Sequence, residues 1–196
     1  MKLVLLGCLM LLVTRGLGCG GWRASKPSQS NRITIPSCCP ESKSPSGGPK
    51  VNSGAAVCYF YRSTLRVKCI KGSSERTCTA VQAGGNGPTP YGEYLIGTQS
   101  TSTNYAGLDW YNLYPKKEDN SGYYPYHQPN HQGRSHMGLH PGRVSLGCVT
   151  VKAGGCSSGD VSCYNRDSCW RQIKSIVNSG HMYYRGSSYS GILYVV

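Results

Sequence analysis

The segment GRSHMGLHPGRVSLGCVTV, residues 133–151, decides how this chain is read. Two histidines, His136 and His140, precede a cysteine set between a glycine and a β-branched run, Gly147-Cys148-Val149-Thr150-Val151. A nucleophilic thiol needs a base, N–H groups aimed at a developing oxyanion, and open space above the sulfur. Ser145-Leu146-Gly147-Cys148 can supply the last two. Gly147 lets the backbone approach a substrate with no side chain in the way, and the Gly147 and Cys148 amides are the expected oxyanion donors. His140 is the expected base and His136 the reserve, because a thiol with its ordinary pKa of about 8.5 is mostly protonated at neutral pH. The same residues admit two structural readings. Cys148 could pair with nearby Cys156, and His127/His131 and His136/His140 share the i, i+4 spacing of helical zinc ligands. Pro125, Pro129, Gly133, Gly138 and Pro141 oppose a helix there, and no CxxC occurs, so neither a metal nor a cofactor is expected.

Outward from this segment, Val149–Val151 reads as a strand and residues 115–135 as a long Pro/Gly-interrupted loop carrying Tyr123, Tyr124 and Tyr126. Those tyrosines either line a cleft or pack under the loop. Upstream, Val57, Tyr59 and Tyr61 alternate with Cys58, Phe60 and Arg62, and Leu65, Val67 and Cys69 with Arg66, Lys68 and Ile70, which predicts a β-hairpin. Gly87–Gly97 predicts a Pro/Gly turn followed by a strand over Glu93–Ile96, residues 99–107 a polar loop, and Asp109–Tyr114 an aromatic strand. Downstream, Asp167 can cap a helix whose apolar face is Trp170, Ile173, Ile176 and Val177 and which Gly180 can end. Ile192–Val196 predicts a last strand. The sum is a mainly β domain over residues 56–196 with one or two short helices. No internal repeat or heptad is present.

The N-terminus begins with Lys2 and an apolar run, Leu3–Val13, too short to span a bilayer, then Gly16, Gly18, Cys19 and Gly20. This is the plan of a secretory signal peptide over residues 1–20. Residues 21–55, rich in Ser, Pro, Gly and Lys, read as a linker or arm. The chain has 21 basic and 8 acidic side chains; without Lys2 and Arg15 the mature part keeps 19 basic ones, a net charge of +11. Such a surface favours anionic partners such as glycans or a bacterial envelope. The basic residues are scattered with no dense run, which argues against nucleic acid. Of 11 cysteines, Cys8 falls in the expected signal, and a cut after Cys19 leaves nine, whereas a cut before it leaves ten, which can all pair. Nine cannot all pair in an oxidising compartment, so one thiol is left over. Its expected identity is Cys148, with four disulfides among the other eight.

The chain also resembles a known family. His140 in Gly-Leu-His-Pro, followed by Ser145-Leu146-Gly147-Cys148-Val149, is similar to the His … Ser/Thr-x-Gly-Cys signature of L,D-transpeptidase (YkuD-type) catalytic domains, above all the small type VI secretion effector-like group. Tyr59–Leu65, Gly87–Tyr94, Leu113-Tyr114-Pro115 and Arg134 resemble that group's further pieces in the same order, so the resemblance covers about residues 57–151. Three features depart from the pattern. Leu146 replaces the usual histidine inside the motif, the His140–Cys148 gap is short, and Thr150 stands near the place of a common arginine. The resemblance implies acyl transfer through a Cys148 thioester on peptidoglycan stem peptides, with His140 as base, Gly147 and Ser145 in the catalytic loop, and Arg143, Arg134 and Tyr126 toward substrate. The expected protein is secreted, monomeric, not inserted in a membrane, and antibacterial. Two rivals remain: a non-enzymatic basic binding or antimicrobial protein with Cys148 in a disulfide, and a cysteine peptidase of other specificity. A free-thiol count separates the first from an enzyme.

Overall fold

The computed structural model describes residues 54–102 and 105–196. The signal segment, most of the arm, Cys38 and Cys39 lie outside the described residues. Twelve elements follow in chain order: β1 (Ala56–Tyr61), β2 (Arg66–Lys71), β3 (Ser74–Thr79), β4 (Gly92–Thr101), β5 (Asp109–Pro115), β6 (Gly138–Gly142), β7 (Val149–Lys152), α1 (Val161–Arg166), α2 (Ser168–Ser179), β8 (Met182–Tyr184), β9 (Ser187–Tyr189) and β10 (Gly191–Val195). Eight strands form one sheet in the order β3-β2-β1-β10-β4-β5-β6-β7, and β8-β9 form a separate hairpin. The fold is mainly β with two helices. The sheet curls until its two edges meet, where Ala80 bridges Val151 and the Val81 amide donates to the Thr150 carbonyl (2.8 Å).

Alternation places each strand. In β1, Cys58 and Phe60 are buried while Val57 and Tyr59 are half-covered. The central strands β4 and β10 lose this alternation because both of their faces are covered. Tyr94, Ile96 and Leu193 join the large core beneath α2, while Leu95 and Ile192 point into a second cluster with Met182 and the half-buried Tyr114, Tyr123, Tyr184, Tyr189 and Tyr194. Helix α2 forms as its sequence predicts. The Asp167 carboxylate accepts from the Cys169 and Trp170 amides, and Trp170, Ile173, Ile176 and Val177 are its buried residues. Gly180 ends it for reasons of space: a Cβ there would lie 2.1 Å from the Ser190 carbonyl oxygen, while its φ of −79° is ordinary.

Helix α2 is fastened to the sheet by Asp109 on β5. Its carboxylate accepts from Trp170 Nε1 (2.9 Å), from Lys174 Nζ (2.9 Å) and from Gln99 Nε2 (3.1 Å). Three disulfides complete the staple. Cys58–Cys69 joins directly paired residues of β1 and β2, Cys78–Cys169 ties β3 to α2, and Cys156–Cys163 closes the loop before α1. The second spans 91 residues, and a loop of that length closes with a denatured-state penalty of about 4–5 kcal/mol in the chain-entropy picture.

Four expectations change. Residues 99–101, assigned to a loop, extend β4 beyond a bulge between Ile96 and Gln99. Pro141 and Gly142, residue types that usually mark a turn, belong to β6. Strand β3 and the β8-β9 hairpin were not foreseen. Three of the four expected disulfides are present; a fourth would draw on Cys38 and Cys39, outside the described residues.

Candidate active site

Strands β6 and β7 lie parallel, with Leu139 beside Val149 and His140 beside Thr150. Parallel neighbours commonly need a crossover of a dozen residues or more. Here the chain returns over residues 143–148 alone, travelling back along β6 by about 13 Å. Six extended residues could reach about 20 Å, so the strap has slack and its course is set by its contacts. It is held midway by Ser145, which is buried, forms a bridge to Ala83, and accepts the Gly84 amide on its carbonyl (2.7 Å). Val144 and Leu146 on either side are left exposed.

The strap ends at Gly147-Cys148, where almost every backbone group is fixed. Ser145 Oγ donates to the Cys148 carbonyl (2.7 Å) and accepts from the Gly147 amide (3.3 Å). The Gly147 carbonyl accepts from the buried Thr89 hydroxyl (2.8 Å) and from Arg134 Nη2 (3.4 Å). Gly147 has φ +125°, and a Cβ there would sit 2.0 Å from Arg134 Nη2 and 2.8 Å from the Gly87 carbonyl oxygen. Only glycine fits. The expectation that both the Gly147 and Cys148 amides serve an oxyanion is revised: the Gly147 N–H is turned toward Ser145.

Cys148 is the only free cysteine among the described residues. Burial pushes its thiol pKa up, while the Gly138 amide, hydrogen-bonded to the sulfur, and the Arg134 guanidinium pull the other way. His140 lies on the neighbouring strand and is buried at 7% exposure. Its Nδ1 faces the Pro141 carbonyl (2.9 Å) and its Nε2 the Thr150 hydroxyl (3.1 Å). The carbonyl can only accept, so Nδ1 carries the proton and Nε2 is the basic nitrogen. Trp110 stacks on the ring at 4.6 Å and 13°. Burial lowers the His140 pKa to about 4, opposed by the Pro141 carbonyl, so the ring is neutral at pH 7. The register puts Cys148, Thr150 and His140 on the same face of the paired strands. In this arrangement Nε2 is engaged by Thr150, not by the sulfur.

Both residues line one cavity of about 650 Å³. Arg134, His136 and Asn86 border it near Cys148; Tyr105, Leu108, Val144, Leu146, Val161 and Tyr164 give it an apolar arm toward α1. Arg143 is part of the wall and donates to the Cys156 carbonyl (2.8 Å). No Asp or Glu is among the lining residues, so the cavity is positive.

The remaining candidates divide. Arg134 bridges the Asn86 carbonyl (2.6 Å) and Gly147, delivered by a turn in which the buried Asn130 carboxamide accepts the Gln132 and Arg134 amides. His136, at φ +54°, meets Ser135 Oγ and His127 Nδ1 (3.0 Å), a partner the i, i+4 spacings did not suggest. His131 turns away to Glu118. No group of three or more metal-ligating side chains occurs among the described residues. Tyr126 packs against the His127–His136 pair, Tyr123 hydrogen-bonds Glu93, and Tyr124 meets Glu118 at the exposed surface; none of the three is among the cavity's lining residues. The sequence reading gave no role to Thr89, Trp110, Asn130 or Gly138. Gly138 has a steric reason: a Cβ there would lie 2.2 Å from the Trp110 ring that covers His140.

No protein-family model matches the chain, and no curated protein matches it. Among solved structures, its neighbours at low identity include several L,D-transpeptidases. L,D-transpeptidase 3 from Mycobacterium tuberculosis is 12% identical, with TM-score 0.36 over 72% of this chain and 61% of that one. The helical cell shape determining protein Pgp2 from Campylobacter jejuni is 14% identical, with TM-score 0.41 over 72% of this chain and 47% of that one. An L,D-transpeptidase from Xylanimonas cellulosilytica is 14% identical, with TM-score 0.33 over 76% and 63%. The chain thus spans about 60% or less of the length of the first two.

Proposed function

We propose that this chain is a secreted cysteine acyltransferase that trims or exchanges the terminal D-Ala of peptidoglycan stem peptides, acting against bacteria. The carrying observation is that the one free thiol among the described cysteines shares a positive cavity with a buried, neutral imidazole whose tautomer is fixed. The chemistry follows from the residues. His140 Nε2 exchanges the Thr150 hydroxyl for the Cys148 thiol and takes its proton; the Pro141 carbonyl then stabilises the imidazolium through Nδ1–H. The sulfur attacks the carbonyl of the donor peptide, D-Ala leaves with the proton from His140, and water or an amine resolves the thioester. Gly138 N–H and Arg134 favour the thiolate against the cost of burial. The substrate class rests on the motif likeness across residues 57–151, and the absence of lining carboxylates suits an anionic stem peptide. His136 stays near the rim as a substrate-orienting group, and Arg143 and Arg134 as carboxylate-facing ones. Among the described residues no helix is long and apolar enough to cross a membrane, and three disulfides suit an oxidising compartment.

The test is incubation of purified protein with tetrapeptide muropeptides, read by mass. Loss or exchange of D-Ala, abolished by Cys148→Ala, supports the proposal. An intact thiol with no change in any stem across a range of salt refutes it.

A further inference from the structure

We infer that Thr89, far from the motif in sequence, is a positioning residue that aims the Cys148 amide as oxyanion donor; this rests on the acyl-transfer reading of the cavity. Thr89 is 0% exposed, a hydroxyl in a Pro-flanked turn, and its Oγ1 donates to the Gly147 carbonyl at 2.8 Å. Fully buried polar groups are retained where their hydrogen bond fixes something. What it fixes is a peptide plane. In a trans peptide the C=O of one residue and the N–H of the next point in opposite directions. Holding the Gly147 carbonyl against Thr89, in the interior, therefore turns the Cys148 N–H to the side away from that interior. The neighbouring planes are fixed separately, since Ser145 Oγ takes the Gly147 amide and donates to the Cys148 carbonyl. Of the Gly147-Cys148 pair, that leaves the Cys148 N–H as the donor for a developing negative charge. Without Thr89, only Arg134 at 3.4 Å holds the Gly147 carbonyl, and glycine at 147 offers no steric resistance to a peptide flip.

In the step concerned, the Cys148 sulfur lone pair forms the C–S bond and the carbonyl π pair moves onto oxygen. The Cys148 N–H stabilises that oxyanion. Collapse re-forms C=O and expels the leaving group, which takes the proton held by His140. Alkylation of the same sulfur by iodoacetamide displaces iodide and builds no oxyanion. The two reactions separate positioning of the amide from reactivity of the thiol.

Thr89→Val keeps the shape and removes the hydroxyl. Thr89→Ser and Thr89→Ala form a second pair that differs only in the hydroxyl, for use if valine prevents folding. Each is compared with the wild type in iodoacetamide alkylation and in acylation by a p-nitrophenyl ester of an acetylated amino acid, read as acyl-enzyme mass. The expected result is alkylation within twofold of wild type for all variants. Acylation should fall at least about tenfold in Val and Ala, below the 10²–10³ known for outright loss of an oxyanion donor, and recover in Ser. Wild-type acylation rates in Val and Ala overturn the inference. So does a parallel fall in both reactions, which would make Thr89 a support of the thiol itself. A wild-type protein that alkylates but is never acylated overturns the acyl-transfer reading and the inference with it. Normal ester acylation without stem-peptide activity would leave the inference standing and remove only the substrate assignment.

Discussion

Acidification should destabilise this protein through His140, and the size of the effect follows from its burial. The ring is 7% exposed, roofed by Trp110, with its pKa lowered from 6.5 to about 4. A group whose folded pKa is depressed contributes its stability above the unfolded pKa, and that stability is lost as pH falls toward the folded value. The window is therefore pH 6.5 to 4. Linkage with those two values gives a loss of roughly 2 kcal/mol between pH 7 and 5, and about 3 kcal/mol by pH 4. With a urea m-value of about 1.5 kcal/mol/M, the first figure moves the midpoint by more than about 1 M. Carboxylates such as those of Glu118 and Asp119, whose pKa values are lowered by hydrogen bonds, also titrate on the way down. They do so equally in His140→Gln, so the quantity to measure is the difference between wild type and variant, by urea unfolding with disulfides intact at several pH values. Wild type should lose about 2 kcal/mol more than the variant from pH 7 to 5. Parallel curves would mean that His140 is not a buried neutral ring, and the assignment of Nε2 as the base would fall with them.

Three further outcomes are expected. Peptide mapping of unreduced, alkylated protein should find Cys148 labelled and Cys58–Cys69, Cys78–Cys169 and Cys156–Cys163 linked; Cys148 in a disulfide would favour the non-enzymatic reading. Asp109→Asn should cost about 2–4 kcal/mol in chemical denaturation, because it strips Lys174 of its ion pair and weakens the Trp170 bond that fastens α2. Gly147→Ala should leave the protein folded but lower Cys148 alkylation at least about tenfold, since the φ of +125° and the 2.8 Å approach of the Gly87 carbonyl oxygen force the strap to shift; an unchanged rate would show that the Gly147 conformation does not control the thiol.

Legibility from sequence tracked how local the physics was. Helix α2 could be read whole because its cap, its apolar spacing and its stop all lie within residues 167–180. The β1-β2 hairpin was legible as two strands but not as to face, because residues 57–61 are all apolar or aromatic and it is Cys58 and Phe60 that are buried. Strand β6 was not legible, because Pro141 and Gly142 signal a turn. Pro141 is tolerated since the registered β5 pairing covers only Gly138 and Leu139, leaving no ladder partner that its missing N–H would serve. Strand β3 escaped notice because only Cys78 among its six residues is buried. At the site, the motif pointed to Cys148 and His140, and both do line the cavity. Thr89 and Trp110 act through contacts made 58 and 30 positions away, and Asn130 through its turn's internal bonding, and nothing in their neighbours announces it. His136 could be named but not paired, because its partner His127 lies across a loop of unpredictable course.

The position of β10 bears on how the chain is made. It pairs with β1 on one side and β4 on the other, in the middle of the large sheet, yet it is the last strand in the chain. Until residues 191–195 pair, β1 and β4 present bare edges, and the two halves of the sheet meet only at the Ala80–Val151 seam. Pairing of such high contact order is slow, and exposed edges invite association with other chains. Folding therefore couples two stretches far apart in sequence: the cavity walls come from residues 86–164, while the strand that fills the sheet between β1 and β4 lies downstream at 191–195.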